Sequence, residues 1–427
     1  METAEGTSQG VEFEVRPGAV LAEDGKPLWI DPDLDFIKWL GTQGAESFKK
    51  CFQCGTCSAT CPISPETDPF PRKEMAWAAW GMKERLLKDP DIWLCHHCND
   101  CSTRCPRGGR PGDVLAALRQ QSVLHYSVPT FLAVWVSQPR FAPLLLALPA
   151  ILLGLAMILR DPLAEFLGYT SQLGGRIVFS YSSFFPHWLI NSFFGFFGLL
   201  AMLATIAGVF RFWRALPAPQ AGQDSKGLFQ SILAALKKII VHDRFSKCKT
   251  TIWRFVAHLC VFFGFIALTA VTLWVITGRV NPLIQGEFVY PFSFWSPWKM
   301  LANLGGAVLL MGCILLVYDR LEDSDRAGSS TYFDWFFVLT LAVVTFTGFV
   351  TEFMHYLRLE PHRHVIYFIH LVFVFGLLIY LPYSKFAHIA YRTAAMVHAE
   401  YTGRKWGDSV PATAPVEDVV SEEEAIS

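Results

Sequence analysis

Six apolar stretches dominate the second two-thirds of the chain, at 141–159, 186–210, 253–276, 299–317, 333–354 and 365–384. Each runs for roughly 20 residues with few charges, the length an α-helix needs to cross a hydrocarbon core of ~30 Å. The first is interrupted by Pro143 and Pro149. A seventh apolar segment, Leu228 to Val241 (LFQSILAALKKIIV), is too short to cross and carries Lys237 and Lys238. It is predicted to be a helix lying in the membrane interface.

Ahead of the spans the pattern is mixed. Residues 1–45 are polar and broken by Pro17, Pro27 and Pro32, an N-terminal extension. Arg72 to Leu87 reads as one helix turning Trp77 and Trp80 inward. The last residues, EDVVSEEEAIS, are acidic and predict a disordered tail over 403–427. The expected organisation is therefore an extension (1–45), a cysteine-bearing domain (46–125), a transmembrane domain (126–402) and the tail. The fold class expected is mainly α: an α-helical, ferredoxin-like two-cluster domain joined to a polytopic bundle of about six transmembrane helices.

Composition supports this division. Charged residues make up 17% of the chain and aromatics 15%, against about 25% charged in soluble domains. The formal net charge is −1, which gives no electrostatic case for nucleic-acid binding. Charge does set an orientation. The loop after the second span holds Arg211, Arg214, Lys226, Lys237, Lys238, Arg244, Lys247, Lys249 and Arg254 against Asp224 and Asp243. Basic loops stay cytoplasmic, so six spans place both termini in the cytoplasm of a cell whose inner membrane holds the protein. The N-terminus, METAEGTSQGVEFEV, has no basic region followed by an apolar core, as a secretory signal would.

Eight of the 11 cysteines lie between Cys51 and Cys105. Cys51, Cys54, Cys57 and Cys61, followed by Pro62, read C-x2-C-x2-C-x3-C-P, and Cys95, Cys98, Cys101 and Cys105, followed by Pro106, repeat it. This is the two-cluster ferredoxin pattern, in which the fourth cysteine of each run reaches the other cluster. Two [4Fe–4S] clusters are expected, one on Cys51, Cys54, Cys57 and Cys105, the other on Cys95, Cys98, Cys101 and Cys61. Structural zinc is the competing reading, but zinc sites use paired C-x2-C arms. His96 and His97 read as polar loop residues, and Cys248, Cys260 and Cys313 as small packing residues.

Histidines in apolar spans are costly and mark functional sites. His370 and His388 are 18 residues apart, five turns of an unbroken helix. They would share one face at opposite membrane depths, as two stacked b haems require. His258, at the start of the third span, matches the depth of His388. For His370, His355 and His187 both stand at outer depth, with His362 and His364 weaker candidates. Uncoordinated interfacial histidines are the alternative.

The sequences RFVAHLCVFFGFIALT and YFIHLVFVFGLLIYLPYSKFAHI, around His258 and across His370 to His388, resemble the gamma subunit of respiratory nitrate reductase, a di-haem cytochrome b. In that family a second histidine follows ten residues after the first. Here that position is Leu268. The cysteine-bearing half is similar to the C subunit of heterodisulfide reductase. Joined, the two halves resemble the C subunit of the quinone-interacting membrane-bound oxidoreductases. The resemblance implies haem b, one or two per chain, and menaquinone as substrate. It also implies two flavin- and Fe–S-bearing cytoplasmic partner subunits and a link to adenylylsulfate reductase in dissimilatory sulfate metabolism. Lys299 lies near a lysine region tied to quinone binding in the nitrate reductase gamma chain; as a plain anchor it would snorkel to the interface.

The leading reading is thus a respiratory electron-transfer subunit with no catalytic residue of its own. The alternatives are the membrane arm of a heterodisulfide- or sulfite-type reductase, and a haem-less Fe–S membrane anchor.

Overall fold

In the computed structural model, residues 32–404 are described apart from 66–67, 167–180, 182–184, 219–226, 243–251, 282, 284–289, 291, 323–327 and 360–361. Most of the expected extension, the tail from residue 405 and Cys248 lie outside the described residues, as do Lys226, Arg244, Lys247, Lys249, Asp224 and Asp243 of the basic loop. The described residues are mainly helical, with no strand among them.

The cysteine-bearing half is built from seven short helices: α1 (Leu34–Leu40), α2 (Thr56–Thr60), α3 (Arg72–Ala79), α4 (Lys83–Leu87), α5 (Asp91–Leu94), α6 (Asp100–Thr103) and α7 (Pro111–Tyr126). The start of α1 is set by Asp33, whose carboxylate accepts the Phe36 N–H at 2.8 Å, a side-chain N-cap. Pro111 opens α7 at a position where its missing N–H costs nothing. The single helix expected over 72–87 is in fact two. Gly81, at φ +67°, turns the chain between α3 and α4, and a Cβ there would stand 3.0 Å from the Asp33 backbone nitrogen. Trp80 falls in that turn and is 52% exposed, so it does not face inward as the helical pattern predicted. Trp77 is half-buried between Arg85, 4.4 Å from its ring, and Lys73.

The second half follows as α8 (Thr130–Val136), α9 (Ala142–Ile158), α10 (Arg160–Phe166), α11 (His187–Ala215), α12 (Leu228–Val241), α13 (Ile252–Val280), α14 (Pro297–Glu322), α15 (Tyr332–Leu357), α16 (His362–Tyr380) and α17 (His388–Tyr401). Among the described residues, six helical segments are long and apolar enough to cross a membrane: Pro139–Ile158, His187–Ala215, Ile252–Arg279, Pro297–Glu322, Tyr332–Leu357 and His362–Tyr383. Pro149 is tolerated inside α9. α12 is a helix over the residues expected to lie in the interface. Its Ala235 is buried and its Lys238 pairs with Glu400 of α17.

α13 and α14 touch backbone to backbone. A Cβ on Gly264 would lie 2.7 Å from the Gly305 carbonyl, and one on Gly312 would lie 2.8 Å from the Val261 nitrogen. Small residues at such contacts let apolar helices gain dispersion energy where lipid offers no hydrophobic drive. The two halves share one core. Trp93 of α5 stacks on Tyr391 of α17 at 5.2 Å, and Phe212 of α11 lies 5.3 Å from Tyr126 and 5.6 Å from Tyr391.

The helix expected to carry both His370 and His388 is broken. α16 ends at Tyr380, two short turns follow over Leu381–Tyr383 and Lys385–Ala387, and His388 opens α17. Pro382 removes a backbone donor, and Ser384 between the turns is extended at ψ −178°. Five-turn periodicity therefore does not relate the two histidines.

Candidate iron–sulfur and haem sites

The two cysteine runs adopt matching loops. In each, the residue before the second cysteine and the residue after it are left-handed: Gln53 (φ 65°) and Gly55 (φ 82°) in the first, His97 (φ 55°) and Asn99 (φ 65°) in the second. Such turns point consecutive backbone N–H groups inward, a concavity suited to anions. A short helix, α2 or α6, then carries the third cysteine of each run. All ten described cysteines are free thiols.

The thiols fall into two groups. Cys61, Cys95, Cys98 and Cys101 line one cavity together with Phe70, Pro71 and Leu115. Cys57 feels the charges of Cys51 and Cys105. Burial pushes the Cys57 thiol up to about 11 and raises Cys61 and Cys101 well above the ordinary thiol range, with neighbouring thiols adding to each. Such thiols cannot ionise together unless a cation sits among them. Cys54 is the exception: exposed, and lowered by a hydrogen bond with Thr56. N–H donors also reach the sulfurs, His97 to Cys95 and Gly109 to Cys105 at 3.2 Å each, and Gln53 Nε2 to Cys51 at 3.3 Å. This donor set fits iron–sulfur clusters, whose potentials are tuned by hydrogen bonds to sulfur.

His96 and His97 are more than polar loop residues. His96 Nδ1 is 2.7 Å from Arg392 Nη2, and the His97 carbonyl accepts from Arg254 Nη1 at 2.9 Å. The His97 ring is held down to about 4 by burial, neutral, with Nε2 3.5 Å from Asp113.

At the base of this domain, His388 Nδ1 lies 2.6 Å from the Lys385 carbonyl. Donation there leaves Nε2 as an electron-pair donor, the arrangement of a ligating histidine. Burial holds His388 near 4, neutral at physiological pH. His258 lies within electrostatic reach of it. His242, which the sequence reading passed over because it caps α12 outside any span, has its ring 5.4 Å from that of His258. These groups fit a haem b ligand pair.

The outer histidines do not converge. His370 Nδ1 meets Thr347 Oγ1 at 3.1 Å, and its ring packs on Gly348. His355 stands on α15, about two turns or ~11 Å beyond the Thr347–Gly348 turn that His370 touches, where it packs on Tyr181 at 5.5 Å. Tyr181 also meets His364 at 6.4 Å. His187 is engaged with Arg279 at 3.3 Å and with Tyr290. His362 opens α16. Leu268 packs with Val261 and Phe265 around Cys313 and Phe386. The residues present do not fit a second haem on His370.

Lys299 Nζ is 2.9 Å from Glu352 Oε2, and Asn303 donates to Glu352 Oε1 at 3.1 Å. Glu352 was missed in the sequence, although an acid inside an apolar span is itself a signal.

Comparison with known proteins agrees with this division. Residues 47–108 match the 4Fe–4S dicluster domain. Residues 139–408, more than half of the chain, match the citrate utilization protein B family. The chain belongs to the citrate utilization protein B family. It is 29% identical to citrate utilization protein B of Escherichia coli over 368 residues, 81% of this chain and 88% of that protein. The cysteine-bearing half is similar to the C subunit of the H(2):CoB-CoM heterodisulfide,ferredoxin reductase of Methanothermobacter marburgensis. There the identity is 34% over 90 residues, 21% of this chain and 49% of that protein. It is also similar to the iron-sulfur C subunit of the CoB--CoM heterodisulfide reductase of Methanopyrus kandleri, 36% over 107 residues, 25% of this chain and 56% of that protein. The chain thus spans about half the length of these heterodisulfide reductase relatives. No solved structure matches it. The cytochrome b resemblance read from the spans finds no counterpart among these matches, and what they support is a dicluster domain joined to a family-typical membrane half.

Proposed function

We propose that this protein is the membrane subunit of an electron-transfer complex in the cytoplasmic membrane, passing electrons between a membrane quinone and soluble partner subunits through two [4Fe–4S] clusters and a haem b. The observation that carries the reading is the convergence of seven of the eight motif thiols, in sets of four and three, on a domain that shares one core with the membrane-length helices.

In this reading Cys51, Cys54, Cys57 and Cys105 hold one cluster, and Cys61, Cys95, Cys98 and Cys101 the other. The clusters and haem supply one-electron carriers, which a quinol, a two-electron donor, cannot couple to a distant partner without. His388 and His258 would ligate the haem through ring nitrogens, His388 being oriented by the Lys385 carbonyl. Lys299, Asn303 and Glu352 form a polar group within the spans where a quinone headgroup could accept hydrogen bonds and exchange a proton. The complex would have its Fe–S domain and both termini in the cytoplasm, following the basic loop. The heterodisulfide reductase relatives suggest a partner that reduces a disulfide, while the resemblance to the quinone-interacting oxidoreductases makes flavin and Fe–S subunits and adenylylsulfate reductase the candidates.

A second reading concerns the partner alone. The relative matched along most of the chain is named for citrate utilization, which favours a partner enzyme that oxidises a small carboxylate. Both readings keep the same relay.

The test is purification of the complex and determination of haem b and iron per chain, with reduced-minus-oxidised spectra under a menaquinol analogue. About eight irons and one haem, reduced by the quinol, are expected. Iron without haem sinks the quinone relay and leaves an Fe–S membrane anchor. The soluble oxidoreductase that copurifies decides between the sulfur and carboxylate readings.

A further inference from the structure

The two cluster loops have the same backbone form but opposite surroundings. Three separate segments of the membrane half close on the second loop. From α17, Arg392 donates to the Cys95 carbonyl at 3.0 Å and the Leu94 carbonyl at 3.3 Å. From α13, Arg254 donates to the His97 carbonyl at 2.9 Å while facing Asp319 of α14 at 3.5 Å. Between α14 and α15, Gly328 lies so close that a Cβ would stand 2.6 Å from Asp113 and 2.9 Å from Asn99.

The two arginines are placed with respect to the histidines below them. Arg254 precedes His258 by four residues, and Arg392 follows His388 by four, on helices continuous through both positions. Residues four apart share a helix face one turn away. Each histidine is thus connected to the Cys95–Cys98 loop by one helical turn and one guanidinium. The cations described beside the first loop, Arg72 and Arg107, come from its own domain and not from the membrane half. Cys54 is exposed, Phe52 is 58% exposed, and Arg107, itself exposed, lies over the Phe52 ring.

We propose that the two clusters stand in a fixed order: the Cys61/Cys95/Cys98/Cys101 cluster faces the membrane helices, with Arg254 and Arg392 positioning its loop, and the Cys51/Cys54/Cys57/Cys105 cluster is the outlet to a redox partner in solution. This rests on the two-cluster reading above but not on the presence of haem. Each electron arriving from the quinol side reduces the membrane-facing cluster. That cluster is reoxidised as the outlet cluster is reduced, and the partner takes the electron from the edge at Cys54. No bond is made or broken, and protons stay at the quinone. Arg392 also lays a positive charge beside the membrane-facing cluster, favouring its reduced, more negative state.

The experiment is electron paramagnetic resonance on the full chain in its complex, reduced with dithionite. The two signals are assigned by Cys54→Ser and Cys98→Ser, each of which alters its own cluster. A soluble dysprosium chelate should shorten the relaxation of the signal altered by Cys54→Ser and leave the other unchanged. Arg392→Gln should lower the potential of the Cys98-dependent signal alone, and Arg392→Lys, which keeps the charge, should restore most of it. If Arg392→Gln fails to assemble, Arg254→Gln serves in its place, and the chelate measurement needs no variant. The order is overturned if the chelate relaxes the Cys98-dependent signal as strongly, or if the glutamine variant moves the other cluster. A chain without iron would instead refute the two-cluster reading, and a missing haem band would touch neither readout.

Discussion

Replacing Lys73 by methionine should unseat the helix that leads into the second cluster loop. Lys73 Nζ lies 2.6 Å from Asp91, 3.1 Å from Asp89 and 3.8 Å from Glu74. All three carboxyls are buried. Arg404, from the end of α17, pairs with Asp91 as the second cation. Burial, with Asp89 adding to it, raises Glu74 well above the usual carboxylate range. The exposed Asp68 also pairs with Lys73, so Lys73 is the cation shared by all four acids, and Arg404 reaches Asp91 alone among them. Methionine keeps the stem's volume and removes one charge. An unpaired carboxylate stranded in a buried site costs about 3–5 kcal/mol. For a cooperative unit of this size that lowers the melting temperature by on the order of 10 °C. The assay is thermal bleaching of the cluster absorbance in the purified complex, since Asp91 opens α5 and α5 runs into Cys95. Adding Asp89→Asn should recover much of the loss by removing one of the buried acids that Lys73 serves. A Lys73→Met protein that bleaches within ~2 °C of the parent would refute the reasoning.

Other consequences can be checked separately. Burial, with Asp91 adding to it, pushes Asp89 up to about 7. A carboxyl raised by folding stabilises the folded state below its ordinary pKa, and that contribution is lost as pH rises toward 7. Melting temperature should therefore fall from about pH 5 to pH 8, with a slope of up to ~1.4 kcal/mol per pH unit, and Asp89→Asn should flatten it. His388→Ala should abolish the haem b band while His370→Ala leaves it, as difference spectra would show; the reverse would move the haem to the outer leaflet. Gly264→Leu would drive a side chain into the Gly305 carbonyl and Leu309. It should cost about 1–3 kcal/mol and lower the yield of folded protein in detergent, measured by size-exclusion chromatography. Cys98→Ser should change the electron paramagnetic signal of one cluster and leave the other intact.

Much of this protein was legible in the chain. Apolar runs of bilayer length gave six spans, because a backbone in lipid must satisfy its own hydrogen bonds and a helix does so within about 20 residues. The doubled cysteine run named its chemistry because metal-ligand spacing is local. Where the reading depended on an unbroken period it failed. Gly81 splits the helix that was to bury Trp80, and Pro382 with Ser384 ends α16 before His388, so two histidines at five-turn spacing are not on one helix. Those breaks rest on one or two residues that an apolar pattern averages away.

Other features were decided by tertiary packing alone. His242 beside His258, Glu352 across from Lys299, and Arg254 and Arg392 on the cluster loop join residues 16 to nearly 300 positions apart. Nothing in the local sequence marks such pairs, because their energies exist only after the helices dock. The sequence by itself determined what cofactor chemistry the cysteines suit and how much of the chain belongs in lipid, since both follow from spacing and from composition over a single segment. The tertiary structure decided which cysteine loop Arg254 and Arg392 reach and which histidine rings lie side by side, since desolvation, ion pairing and ring contact depend on neighbours that only the fold assembles.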